Sequence, residues 1–518
     1  MGEKIKFEVT QDCNWLRLIH YDEDVELRQL KLSFHRFAKK YYFSPLYKKK
    51  DAAGNRVWDG KINFLLKDQY LQIGLWGELY RVAKDYKLDV RIDGLERVID
   101  QTLSFSDFKD WCDEFFKDGI GGDPERKLRP YQIEAAYNIV KFRLSTQELA
   151  TNAGKTVIVF TALAFMKATG RATNALIIVP NTNLVLQGID DFAVYGSRKV
   201  GMRMQGVYSN SPDAEGDYVF GTYHSLREWP VEKLSKFTTV FVDECHTTDT
   251  MSIKKIMAMC KGSRYRFGLS GTIVGEGDAS FLTVEGNLGP QVMKVTPSDL
   301  FALGAATPVE VKVVRLNYMH EDDRKRLAKL RSDKHDIDGV ELYNIERKIA
   351  ISNPHRLRFI CDFIAKTTKN SMVLFQSVED GYGKKIYDRL REITDKEVFY
   401  VDGDISAQLR EEYKQRMKTG ENRVLVATFK TFSTGISIDN IHNIFFVESY
   451  KSEIIIKQSI GRGMRKQAGK DKVYIVDFVD DFSHKSTPNY LMEHSNARIE
   501  LYQQEAFPYK IYNVKITE

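Results

Sequence analysis

The sequence predicts an α/β chain of two tandem parallel-sheet lobes preceded by a small α+β N-terminal domain. Three observations carry that prediction. The chain has 518 residues, and at roughly 100–200 residues per domain that leaves room for about three domains. Two long stretches hold short, unbroken apolar runs separated by helix-like segments, the pattern of parallel strands covered on both faces. The residues ahead of them lack that pattern and alternate charged with apolar positions.

The first domain, residues 1–122, opens with KIKFEV, whose alternation predicts a strand. Val25 to Lys40 has apolar residues near helical spacing, and KINFLL and LQIGLW read as strands joined by the turn-like KDQY. Tyr47 to Gly60 is a lysine-rich loop ending in Trp58-Asp59-Gly60, and Trp111 to Lys117 reads as a helix. Asp118 to Pro124 is a Gly/Pro cluster and reads as a linker. The first lobe, residues 123–304, contains the runs ALIIVP, YVFGTY, TVFVDE and RFGLSG. The second, residues 305–488, begins with a helical stretch from Glu321 to Lys366 and continues with SMVLFQS, VFYVDG, VLVATF, IFFVES and VYIVDF. The tail, residues 489–518, reads as helical and then extended.

Composition narrows the function classes. Hydrophobic residues make up 43% of the chain, so sizeable cores are available, and the net charge of +6 suits local contact with phosphates. Five scattered cysteines argue against a disulfide framework and a structural zinc site. The N-terminus lacks a signal-peptide run, and the most apolar stretch, Val157 to Met166, is too short to span a bilayer. The expectation is a soluble cytoplasmic protein without membrane contact.

Two motifs carry chemistry. Ala150 to Thr156 (ATNAGKT) precedes an apolar helical run and reads as a phosphate loop. In such a loop the backbone of Asn152, Ala153 and Gly154 cradles phosphates at a helix N-terminus, Lys155 neutralises the outer oxygens and Thr156 holds Mg²⁺. Asn152 stands where Gly is usual, and Asn tolerates a left-handed backbone best among the other residues. The second motif, Val240 to His246 (VFVDECH), places Asp243 at the carboxyl end of an apolar strand, where open α/β sheets bind ligands. Asp243 is suited to Mg²⁺ and Glu244 to polarising an attacking water.

With these motifs in place the chain resembles the superfamily 2 helicases. Leu128-Arg129-Pro130-Tyr131-Gln132 resembles the adenine-side motif, and Asp243-Glu244-Cys245-His246 the DEAH-type partner of the phosphate loop. Gly268 to Thr272 resembles motif III, and Leu374-Phe375-Gln376-Ser377 motif IV. Ala427-Thr428 through Ser433 to Ser437 resembles motif V, and Gln458 to Arg465 matches Q-x-x-G-R-x-x-R of motif VI. The resemblance implies RecA-like lobes, ATP and Mg²⁺ as cofactors, and nucleotide contacts from Arg129, Tyr131, Gln132, Gly435 and Gln458. Arg462 and Arg465 then supply second-lobe cations to the γ-phosphoryl charge, and their spacing predicts one shared helix face. Nucleic-acid contacts are expected from Pro180, Asn181, Thr182, Thr222, Gln376, Ser377 and Thr428, on loops at the opposite edge of the strands from the nucleotide. Ser437 departs from the Asp that many relatives use for a ribose contact. The Leu-Arg-Pro-Tyr-Gln start and the absence of a His opening motif VI look more like DNA translocases than RNA unwinders.

The layout further resembles the phage UvsW-type family of recombination and repair helicases, through the Trp58-Asp59-Gly60 segment, the phosphate loop without its first Gly, FGLSG, and Phe432 to Ser437. That resemblance implies unwinding and branch migration of Holliday junctions, forks and displacement loops, in a host cytoplasm, by a protein expected to be monomeric. The N-terminal domain is then the candidate branch reader. Its Lys48, Lys49 and Lys50 can meet phosphates, and Trp58 can stack on an unpaired base. The alternatives are the motor subunit of a restriction-type translocase and an ATP-switched nucleic-acid clamp or annealing protein.

Overall fold

The computed structural model describes all residues except 1–4, 39–40, 52, 67–68, 210, 246–249, 273–277, 319–320, 333–338, 436–437, 468, 485–487 and 517–518. The chain divides into two compact units, Met1–Val295 and Thr296–Glu518.

In the first unit, Ile5–Val9 forms the expected strand, with Ile5, Phe7 and Val9 buried. It lies inside a five-stranded sheet ordered Leu65–Leu66, Tyr70–Gln72, Trp15–Tyr21, Ile5–Val9, Val90–Asp93. LQIGLW is not a single strand. It breaks into Tyr70–Gln72, a 3₁₀ turn Ile73–Leu75 and the start of the helix Trp76–Tyr86. The cause is tertiary: Gly74 presses against the backbone of Glu285 and Gly286, where a Cβ would overlap carbonyl oxygens. The N-terminal sheet has no core of its own. Ile5, Phe7, Leu16, Leu71 and Leu75 share one buried cluster with Leu144, Ala279, Phe281 and Leu282 of the following lobe. Between Phe37 and Lys61 the chain leaves this body on a two-stranded ribbon, His35–Phe37 with Lys61–Asn63.

The first lobe is an all-parallel seven-stranded sheet among the described residues. Its order is Met204–Val207, Tyr218–Thr222, Ala175–Val179, Thr239–Asp243, Tyr265–Ser270, Leu144–Leu149, Gln291–Val295. Unbroken burial of ALIIV, YVFGT and YRFGLS matches strands covered on both faces.

The second unit repeats the architecture. Its parallel sheet runs Val398–Val401, Val424–Thr428, Ser371–Phe375, Asn443–Phe446, Val473–Asp481, Val309–Tyr318, Tyr509–Ile516. The expected helical stretch is three helices, Glu321–Ser332, Gly339–Ser352 and Pro354–Lys366. The tail belongs to this lobe: helix Tyr490–Gln504 packs on strand Val473–Asp481, and Tyr509–Ile516 forms the edge strand. Two parallel lobes behind a small α+β domain is the fold class read from the sequence. Among the described residues no helix is long and apolar enough to cross a membrane.

Candidate functional site

The phosphate loop leaves the carboxyl end of strand Leu144–Leu149 and enters helix Lys155–Ala168. Asn152 has φ +74° and Gly154 φ +83°, so two left-handed residues bracket Ala153 and curl the loop tightly. Asn152 thus adopts the left-handed backbone that the loop without its first Gly calls for. A Cβ on Gly154 would overlap the Gln132 amide. That amide donates to Ala153 O at 2.9 Å, and the Tyr131 hydroxyl donates to the same oxygen at 2.9 Å. Arg129 caps the helix Pro130–Lys141, and its N–H donates to Gln132 Oε1 at 2.9 Å. The Arg129, Tyr131 and Gln132 trio thus braces the loop from behind.

Asp243 ends strand Thr239–Asp243, and Glu244 follows with φ +50°. Lys155 Nζ donates to Glu244 Oε1 at 2.9 Å, with both side chains largely buried. Burial opposes the Lys155 charge, but Glu244 and Asp243 outweigh it and hold its pKa above the ordinary value. Burial pushes the Asp243 carboxyl up to about 6, with Lys155 pulling it down and Glu244 pushing it further up. Two acids and one cation at the mouth of a parallel sheet form a site short of positive charge. Mg²⁺ would offset that deficit, held by hard oxygens from Thr156 and Asp243, and phosphate oxygens would follow the metal to a helix N-terminus that favours anions. Strand Tyr265–Ser270 separates the two motif strands, and its following residue Gly271 runs beside Lys155 and Thr151. Ser270 Oγ donates to Thr272 O at 2.7 Å and accepts from Thr272 N at 3.0 Å, which locks that turn. His246 lies outside the described residues.

In the second unit, Gln458 and Arg462 share helix Glu453–Gly463, one turn apart. Arg465 does not share it. The helix stops at Gly463 with Met464 as its cap, because the Gly-Arg-Gly sequence weakens it and the Met464 and Arg465 carbonyls turn out to Thr307. Arg465 Nη1 instead donates to Asp439 Oδ1 at 3.2 Å, and the Arg462 guanidinium lies 5.8 Å from the Phe432 ring centre. Gly435 ends helix Phe429–Gly435, while Ile436 and Ser437 lie outside the described residues.

The expectation that nucleic-acid loops lie on the opposite edge of the strands is incorrect. In an all-parallel sheet every βα loop leaves from carboxyl ends. Pro180, Asn181 and Thr182 follow strand Ala175–Val179, and Thr222 ends strand Tyr218–Thr222, on the same edge as Asp243. These loops stand apart from Asp243 sideways along the sheet, not at its other edge. Several of these groups also have structural partners. Asn181 caps helix Thr182–Tyr195 by accepting from Leu184 N at 3.1 Å, and Thr222 bonds Ser225. Thr428 donates to Thr431 at 2.8 Å, Gln376 accepts from the Tyr343 hydroxyl at 2.8 Å, and Ser377 accepts from Glu379 N at 3.3 Å.

On the N-terminal arm, Lys48, Lys49 and Lys50 are exposed. Trp58 is half-buried, its indole N–H donating to Lys61 O at 2.7 Å, so it is not the open ring of the arm. Phe37, Tyr42 and Phe43 are more exposed, at 52%, 52% and 63%. Cations lie over the arm's rings: Arg56 at 3.7 Å from Tyr47, Lys61 at 5.0 Å from Phe37 and Lys48 at 5.9 Å from Phe43. Sequence reasoning passed over these aromatics, although Tyr41-Tyr42-Phe43 between Phe37 and Tyr47 was a visible signal.

Comparison with known proteins agrees with the two-lobed fold. Residues 125–275 match the family described as Type III restriction enzyme, res subunit, and residues 355–467 match the Helicase conserved C-terminal domain. The ATP-dependent DNA helicase uvsW of Enterobacteria phage T4 is 29% identical over 511 residues, covering 95% of this chain and 97% of that protein. The crystal structure of T4 UvsW covers 99% of this chain and 100% of its own at 26% identity, with a TM-score of 0.49. The ATP-dependent Type ISP restriction-modification enzyme LlaBIII shares the fold over 75% of this chain and 32% of its own, at 15% identity and a TM-score of 0.52. Paired helicase domains and a relative aligned almost end to end support a UvsW-like superfamily 2 helicase.

Proposed function

We propose that this helicase spends ATP hydrolysis on remodelling branched DNA, unwinding and branch-migrating Holliday junctions, forks and displacement loops in recombination and repair. The observation that carries the ATP reading is the Lys155–Glu244 pair beside Asp243, braced by a left-handed loop at a helix N-terminus. In this reading Lys155 neutralises the outer phosphates, Glu244 polarises the attacking water, and Thr156 and Asp243 hold Mg²⁺, which offsets phosphate charge when bound. Arg129, Tyr131 and Gln132 serve the adenine side, Gly435 and Gln458 the rest of the nucleotide. Arg462 and Arg465 donate to the transferring phosphoryl group. Pro180, Asn181, Thr182, Thr222, Gln376, Ser377 and Thr428 track the strand through backbone and hydroxyl contacts that ignore sequence.

The branched-DNA reading draws on the phage T4 relative, which is a DNA helicase, and on the alignment with it extending through the N-terminal domain. The cation-and-aromatic arm supplies the chemistry: lysines for phosphates and open rings for unpaired bases. The working form is proposed to be a monomer acting in the cytoplasm. ATP turnover measured with and without single-stranded, duplex and four-way DNA separates this reading from a clamp that uses ATP as a switch. A motor shows turnover strongly stimulated by DNA; a clamp shows binding without multiple turnovers, and that result would overturn the proposal.

A further inference from the structure

Lys470 is a buried cation in the segment that follows the motif VI helix, with 7% of its surface exposed. Burying an ammonium is costly unless its N–H groups are all satisfied. Lysine has three donors, and here three main-chain carbonyls meet them: Gly463 O at 2.6 Å, Asp439 O at 2.8 Å and Arg465 O at 3.1 Å. Burial draws the Lys470 pKa down to about 8, with Asp439 raising it and Arg465 lowering it, so the cation persists at neutral pH.

The three carbonyls come from two separate segments. Gly463 is the last helical residue and Arg465 lies just beyond it, whereas Asp439 belongs to the stretch between helix Phe429–Gly435 and strand Asn443–Phe446. A lysine that merely closes a helix bonds the last carbonyls of that helix from the surface. Lys470 instead ties the helix end to the other segment, and it does so at the residue whose carboxylate accepts from Arg465 Nη1. Lys470, Asp439 and Arg465 therefore close a ring: ammonium to two backbones, and carboxylate to guanidinium. The Thr307 hydroxyl adds a second bond to the Arg465 carbonyl, at 3.1 Å.

We infer that Lys470 is a positioning residue for ATP turnover, fixing the backbone at Arg465 and Asp439 so that the Arg465 guanidinium is presented in one orientation. The inference rests on the reading of Arg465 as a cation serving the transferring phosphoryl group. It acts through a neighbour, so its signature is dependence on that neighbour.

The test is a double-mutant cycle in the full chain, with DNA-stimulated ATP hydrolysis as the readout. Lys470→Met should lower kcat by up to about 10²-fold, the scale of a catalytic group displaced by about 1 Å, and leave the KM for ATP within about twofold, because the loss falls on the transition state. In an Arg465→Ala background the same substitution should cost no further turnover. Lys470→Gln, which keeps two donors, should give a smaller loss with the same dependence, and it carries the test if the Met variant does not fold. An equal loss with and without Arg465, or no loss in either background, would overturn the inference. Arg465→Ala measured alone tells the two failures apart: normal turnover in that variant defeats the reading of Arg465 itself.

Discussion

Lys155 and Glu244 are each other's partner at 2.9 Å, and the two should fail differently. Lys155→Ala removes the cation that phosphate needs and is expected to abolish hydrolysis while DNA binding persists; filter binding beside a turnover assay checks both halves. Glu244→Gln keeps the shape and loses the charge, so nucleotide should remain bound while turnover falls by orders of magnitude, about 10²–10⁴ for a lost general-base-like group. A Gln variant with near-normal turnover would remove Glu244 from the chemistry. Asn152 offers a backbone test. At φ +74°, Asn152→Gly should retain activity, whereas Asn152→Val places a β-branched side chain where the left-handed region is strongly disfavoured and should cost ATP binding. At this scale much was legible. The Asn152 conformation followed from residue chemistry, and Asp243 followed from a strand ending in acid. Lys470 and Asp439 were not legible, because a lysine beyond a motif looks like any solvated cation until the fold brings three carbonyls around it.

The C-terminal helix and strand show how elements are joined. Arg498 makes two bonds of 2.8 Å to the buried Asp477 carboxylate, and the Tyr502 hydroxyl adds a third at 2.9 Å, which pins helix Tyr490–Gln504 to strand Val473–Asp481. His494 sits on the same helix, its ring 4.9 Å from Tyr343. Burial, with Arg498 and Lys451 nearby, draws its pKa from 6.5 down to about 4. The unfolded chain therefore takes up this proton below about pH 6.5 while the folded chain refuses it until about pH 4, so stability is lost as pH falls through that window. His494→Phe keeps a ring over Tyr343 and removes the proton. Melting curves at pH 7.5 and 5.5 should show the parent losing more stability than the variant; parallel losses would contradict the assignment. Strands such as Ala175–Val179 and Ser371–Phe375 were readable because parallel sheets impose unbroken apolar runs, whereas Leu144–Leu149, which leads into the phosphate loop, was not, because it is buried with polar side chains. The ends of elements were less so. LQIGLW turned at Gly74 for a docking contact far away in sequence, and the motif VI helix stopped before Arg465 because Thr307 holds the carbonyls beyond it. The tail's role was invisible until its strand paired with Val309–Tyr318.

For the whole molecule, the N-terminal domain and the first lobe are one folding unit. Leu144 and Phe281 lie in the same core as Ile5 and Phe7, so removing the domain would strip the motor's own core, and branch recognition has to be tested by surface changes. Replacing Lys48, Lys49 and Lys50 with Ala should weaken DNA binding similarly across sequences. It should also reduce the slope of log affinity against log salt by up to about 3, near one unit for each phosphate that a lysine no longer neutralises. An unchanged slope in a salt titration would take the arm off the DNA. Phe43, at 63% exposure, is the most exposed of the arm's described rings. Preferential action of this ATP motor on branches is the proposal that matters most. Its most direct test is ATP-dependent unwinding of linear, forked and four-way DNA of matched length. The wild-type chain is measured beside one with Lys48, Lys49, Lys50 and Phe43 replaced by Ala. The wild-type chain should resolve forked and four-way DNA faster than linear duplex, and the arm variant should lose that preference while DNA-stimulated ATP turnover continues. Equal rates on all three substrates with the wild-type chain would contradict it.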